Sequence, residues 1–153
     1  MLLKVRFLFL KVIKKIKIKS NNICYGPAPE LEDEVEQVLT IAKSGKVWFY
    51  SYKYIGTRSR SIINNIGEKS AYLIFELISK WIDAGPFCYA TDVGTWDMVI
   101  TDENNKLYKF DGSLTEDLVV DGIAISETIR DIVKVDDMFV FDGNKEVYLD
   151  DEE

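Results

Sequence analysis

An α+β fold with a mainly antiparallel sheet is what this chain predicts, and three observations carry that expectation. Short runs of alternating apolar and polar residues recur, turn residues such as Gly, Asn and Asp separate them, and two stretches carry an apolar period of 3.6. The expected order is β-β-α-β-β-β-α-β in a single domain over residues 25–153, with an acidic surface and an acidic C-terminal tail. A basic amphipathic segment, residues 1–24, precedes it.

Val35–Ala42 and Val47–Ile55 alternate as strands and are joined by "KSGK", a hairpin signal. On the second run Trp48, Tyr50, Tyr52 and Tyr54 share one face, because strand side chains alternate. These rings suit either a ligand surface, stacking on a sugar or base, or a wall packed against a helix. "GTRSRSIINN" then reads as a polar connection, with Arg58 and Arg60 on the same side of any extended segment. Their guanidinium forks fit a phosphate or carboxylate, and a solvated loop is the plainer reading.

Ile74, Leu77, Ile78, Trp81 and Ile82 recur at helical spacing and predict a helix over Gly67–Asp83, opened by Glu68 and closed by "AGP". Phe87–Val93, Thr95–Thr101 and Lys106–Leu114 read as strands. In them Trp96, Met98 and Ile100 share a face, and Tyr108 with Phe110 pairs across the "DENN" turn. A short apolar run, Leu118–Val120, leads into Asp121-Gly122. Ile123–Val135 is the second expected helix, with Ser126 as N-cap and Ile129, Ile132 and Val133 facing inward. Phe139–Phe141 completes the pattern as a last strand.

Residues 1–24 hold seven basic side chains and no acid. Their uncharged runs are too short for a secretory core or a membrane span. On a helical projection Leu2, Val5, Phe9, Val12, Ile13 and Ile16 oppose Lys4, Lys11, Lys14, Lys15 and Lys19, the pattern of a helix lying on an anionic membrane. The alternation "KIKIK" from Lys15 to Lys19 equally fits an edge strand guarded by lysines. The segment is read as packed on or paired with its own acidic body, as a frayed extension, or as weak membrane contact through residues 2–19. A boundary is placed at "YGPAPELEDE", where Gly26, Pro27 and Pro29 interrupt regular structure.

The chain has 19 basic and 26 acidic residues, a net charge of −7, and no histidine. Removing the seven basic residues of the first segment leaves 12 against 26, a net −14, so nucleic acid is not an expected partner of the body. The lack of histidine excludes Ser-His-Asp and Cys-His nucleophilic chemistry and most zinc enzyme sites. Cys24 and Cys88 are too few for a disulfide framework and are read as free, mostly buried thiols in a reducing, cytoplasmic setting.

Asp111-Gly112, Asp121-Gly122 and Asp142-Gly143 are read as turn chemistry, the aspartate capping the turn and the glycine supplying positive φ. The functional rival is a divalent-cation site in which Asp92, Asp97, Asp111 and Asp142 converge at one sheet edge. No calcium-loop or two-metal spacing accompanies it, and no cofactor is expected.

"FCYATDVGTWDMVITDENNKLYKFDGSL" followed by "SETIRDIVKVDDMFVFDGN" resembles an uncharacterised bacterial domain family. The likeness rests on a Gly-x-Trp-x-Met strand, a Tyr-Lys-Phe-x-Gly-Ser-Leu strand and a Phe-Asp-Gly-Asn close, over roughly Leu39 to Asn144. It implies no activity, because none is assigned to that family.

The expected function is therefore a small intracellular, non-catalytic interaction module presenting an acidic face to a basic protein partner. A carboxylate-based, cation-dependent enzyme is the alternative. Peripheral attachment to the inner membrane face through residues 2–19 is compatible with either.

Overall fold

The computed structural model describes residues 13–24, 27–84 and 93–143. Ten elements lie in these segments. Strands β1 (Ile13–Asn21), β2 (Glu34–Ala42), β3 (Lys46–Lys53) and β4 (Arg58–Asn65) lead into helix α1 (Glu68–Ala84). Strands β5 (Thr95–Asp102) and β6 (Leu107–Ser113), the short pair β7 (Val119–Val120) and β8 (Ile123–Ala124), and helix α2 (Ile125–Val133) follow. The six long strands form one antiparallel sheet in the order β4-β3-β2-β1-β5-β6, and β7-β8 is a separate two-stranded ribbon. The α+β class and the mainly antiparallel sheet agree with the sequence.

The basic segment pairs with its own body as one reading expected, but its helical and edge-strand readings are corrected. Its described part is the centre of the sheet: β1 pairs with β2 on one side and β5 on the other. Ile16, Ile18 and Ser20 are buried while Lys15, Lys17 and Lys19 are exposed, a strand alternation in place of a helix. A bulge between Ile13 and Lys15 inserts one residue, so Ile13 also turns inward. The helical projection failed because "IKKIKIK" has apolar residues three apart at its start and two apart thereafter. Thus Ile13–Asn21 lies within the sheet, not ahead of a boundary near residue 24; residues 2–12 lie outside the described residues.

The second correction is "RSRSIINN", read as a polar connection and found as β4, the edge strand beside β3. None of its residues is fully buried, which is why its composition looks like a loop. Third, residues 139–143 form turns in place of a last strand, with Val140 at φ 44. The expected strand Phe87–Val93 falls almost wholly outside the described residues.

One face of the sheet holds the core. Ile13, Ile16, Ile18, Leu39, Ile41, Val47, Phe49, Trp96, Met98 and Ile100 pack against α1 through Ile74, Phe75, Leu77, Ile78 and Trp81, and against α2 through Ile129 and Val133. Trp81, Trp96 and Phe141 meet edge to face or tilted, with ring centroids 4.9 to 6.3 Å apart. Trp96 closes on Gly112, where a β-carbon would sit 2.6 Å from the indole Cζ2. Asp111-Gly112 is therefore strand interior with a close approach, and not a turn. Asp121-Gly122, at φ 52 and 76, is the two-residue turn of the β7-β8 ribbon, as expected.

Helix α2 starts at Ile125 with Ala124 at the N-cap position. Ser126 does not cap it: the Asp117 carboxylate accepts from the N–H groups of Ser126 (2.8 Å) and Glu127 (3.2 Å), while the Ser126 hydroxyl is buried and accepts from Phe141 N (3.1 Å). Residues 134–143 then fold back over the core face. Ser20 donates to Val140 O, Gln37 donates to Asp137 O and accepts from Phe139 N, and Arg60 donates to Asp136 O. Among the described residues no helix is long and apolar enough to cross a membrane.

Candidate functional site

Both helices and the 134–143 turn lie against one face of the sheet, and the side chains alternating away from it form the other. The β3 residues Trp48, Tyr50 and Tyr52 belong to this outer face and are half-buried, whereas their neighbours Val47, Phe49 and Ser51 are buried inside. Neither of the two described helices packs on the ring strip. Tyr54 lies beyond β3 in the following turn, 41% exposed.

Strand pairing sets these rings in register with the basic strand. Lys17, Thr40 and Trp48 are successive partners across β1, β2 and β3; Lys19, Val38 and Tyr50 form the next row, and Asn21, Glu36 and Tyr52 the third. Strand β4 extends each row with Ile63, Ser61 and Arg58 respectively. Rows are two residues apart, about 6.8 Å, and the lysine and ring columns are two strands apart, about 9–10 Å. Lys46 lies over the Trp48 ring at 5.0 Å and Arg58 over the Tyr50 ring at 4.7 Å, so a cation caps one face of each ring.

Arg58 and Arg60 do not share a side. A register shift between Ser51 and Tyr52 places Arg58 opposite Tyr52 on the outer face and Arg60 opposite Ser51 on the inner one. Arg60 makes a two-pronged contact with Glu34 (2.9 and 2.6 Å) over the Phe49 ring. Burial pushes the Glu34 carboxyl up, but hydrogen bonds from Arg60, Ser51 and Gln37 outweigh it and hold the group below the ordinary carboxylate range. This cluster is structural, tying β2, β3 and β4 to residues 134–143.

The three described aspartates of the proposed cation site do not converge. Asp97 and Asp111 are cross-strand neighbours on the outer face, beside Lys19. Asp142 is fully buried against Arg130, whose guanidinium also donates to the carbonyls of Met138 and Phe139. Asp92 lies outside the described residues, and among those described no group of three or more His, Cys, Asp or Glu residues is placed to hold a metal ion. Asp102 is a turn residue: the Lys106 N–H, with help from Asn104 and Tyr108, holds its carboxyl low. Cys24 is exposed, against expectation, and Cys88 is outside the described residues.

A cleft of about 950 Å³ opens at the end of the sheet, lined by Ile13, Lys14, Ala42, Lys69, Tyr72 and Phe75 among others. Nothing in the sequence singles these residues out, since they meet only through the topology. Comparison with protein-family models, curated proteins and solved structures gives no match to this chain.

Proposed function

We propose that this protein is a non-catalytic binding module that works through the open face of its sheet, where an anionic partner meets a column of lysines and a column of aromatic rings. The observation that supports this most directly is the register: Lys17 shares a row with Trp48, and Lys19 with Tyr50, with only Thr40 and Val38 between them. Charge and ring then act on one ligand at once. Lys15 and Lys17 have no ion pair among the described residues, and Lys19 shares only a 3.6 Å contact with Glu36, so the column is available to a partner.

Retention on a phosphate-bearing matrix tests the reading. At neutral pH and low salt the protein should be held despite its net charge of −7, and Lys15→Glu/Lys17→Glu/Lys19→Glu should pass through. Flow-through of the unaltered protein would remove the proposal.

A second reading keeps the acidic face and the basic protein partner. It is favoured by the exposed acids that gather on the helical side, Glu127 and Asp131 one turn apart on α2 and Asp136 just beyond it. Its test is salt-sensitive binding of a basic peptide that Glu127→Lys/Asp131→Lys abolishes and a Glu30→Lys/Glu32→Lys control leaves intact. Equal loss in both would leave no acidic site on α2.

A further inference from the structure

We infer that the partner of the open sheet face is an extended single-stranded nucleic acid, laid along the strand direction with its phosphates on β1 and its bases on β3. The inference rests on the binding-face reading above and adds the ligand class.

The repeats of the ligand and of the face match. An extended single strand presents one negative charge and one flat base per repeat, displaced sideways from each other. The outer face presents one ammonium and one ring in each of two rows, Lys17 with Trp48 and then Lys19 with Tyr50, and the third row holds Asn21, Glu36 and Tyr52. The row repeat of about 6.8 Å is the strand rise over two residues, and it suits the phosphate spacing of a stretched strand. The lateral offset, about 9–10 Å across two strands, is spanned by a flexible lysine stem on one side and a base on the other. Thr40 and Val38, in the floor between, are uncharged and half-buried, so nothing there repels the sugar.

The flanks point the same way. Lys15 continues the phosphate column before Lys17, and Lys46 and Arg58 lie against the rings of Trp48 and Tyr50. A base can stack on the guanidinium plane that lies over Tyr50, or displace the flexible cation and stack on the ring itself, and either contact tolerates any sequence because every base has a π-face. An acidic peptide would use the lysines but offer no planar group to each ring. On the other side of β1 the Lys19 row continues into Asp97 and Asp111 and the Lys17 row into Val99 and Lys109, while on the near side Glu36 repels a polyanion at the third row and limits its track to two rows. The net −14 of residues 25–153 leaves out Lys15, Lys17 and Lys19, which stand at the centre of the sheet.

The experiment is fluorescence anisotropy of a labelled oligothymidylate with the full chain across a salt series. Polyglutamate, inorganic polyphosphate and anionic lipid vesicles serve as competitors. Binding should weaken with salt, and Lys17→Ala should lower the salt slope by about 0.7, the share of one phosphate contact on a single strand. Trp48→Leu or Tyr50→Leu should weaken binding about 5- to 150-fold with the slope unchanged, the effect of losing one stacked base. Matching melting midpoints for all variants show that the fold is kept. Absence of binding at low salt overturns the inference. Ring variants that bind as the parent does, with polyphosphate, polyglutamate or vesicles competing as well as oligonucleotide, also overturn it but leave the anion-binding face standing. Binding that ignores the lysine substitutions sinks both.

Discussion

Glu34 shows how one carboxylate joins parts of the chain that no local pattern connects. It accepts from Ser51 on β3 and Arg60 on β4, while Arg60 reaches on to residue 136. Because its folded pKa lies below the ordinary 4.5, the stability it contributes is complete above that pH and is lost as pH falls through the folded value. Glu34→Gln should therefore lower the urea midpoint at pH 7, and the gap to the parent should narrow steadily below pH 4.5. A gap constant from pH 7 to pH 3 would show that charge is irrelevant to the contact. At Gly112 the issue is room. A methyl there meets the Trp96 indole at 2.6 Å, so Gly112→Ala should cost about 1–3 kcal/mol in urea unfolding through overpacking. The sequence shows Gly112 only as half of an Asp-Gly step, identical in appearance to the true turn at Asp121-Gly122. The partner that distinguishes them, Trp96, is known only once β5 and β6 are paired.

At the scale of elements, the amphipathic helix α1 and the β2-β3 hairpin were legible because period and turn chemistry are local properties. Strand β1 was not. Its alternation was visible, yet whether a strand is central or at an edge depends on which strands arrive beside it, and β5 arrives from more than 70 residues away. Lysines on the outer face look the same in either case. A chain beginning at Tyr25 would lack β1 and leave β2 and β5 unpaired on their facing sides, with Leu39, Ile41, Met98 and Ile100 stripped of Ile16 and Ile18. Circular dichroism and urea titration should find that shortened chain without a cooperative transition. A native-like transition would mean that the sheet closes without its centre.

For the molecule as a whole, the candidate site was half legible. Trp48, Tyr50 and Tyr52 announced a common face, and the lysines announced a charge stripe, but a sequence cannot show that two stripes 30 residues apart lie in register. Arg58 and Arg60 were misassigned because a single bulge reverses the face of everything beyond it. The net charge misled in a related way, since it sums over surfaces that point in opposite directions. The placement of β1 also bears on biosynthesis. While the protein is being made, β1 is followed directly by its partner β2, yet its other side has no β5 to pair with until Thr101 and its neighbours leave the ribosome. Through that interval the nascent chain carries an unfinished rim, and Lys15, Lys17 and Lys19 keep it from recruiting strands of other polypeptides. The same three ammonium groups thus serve twice, first as guards of an incomplete sheet and afterwards as the ridge of the finished one.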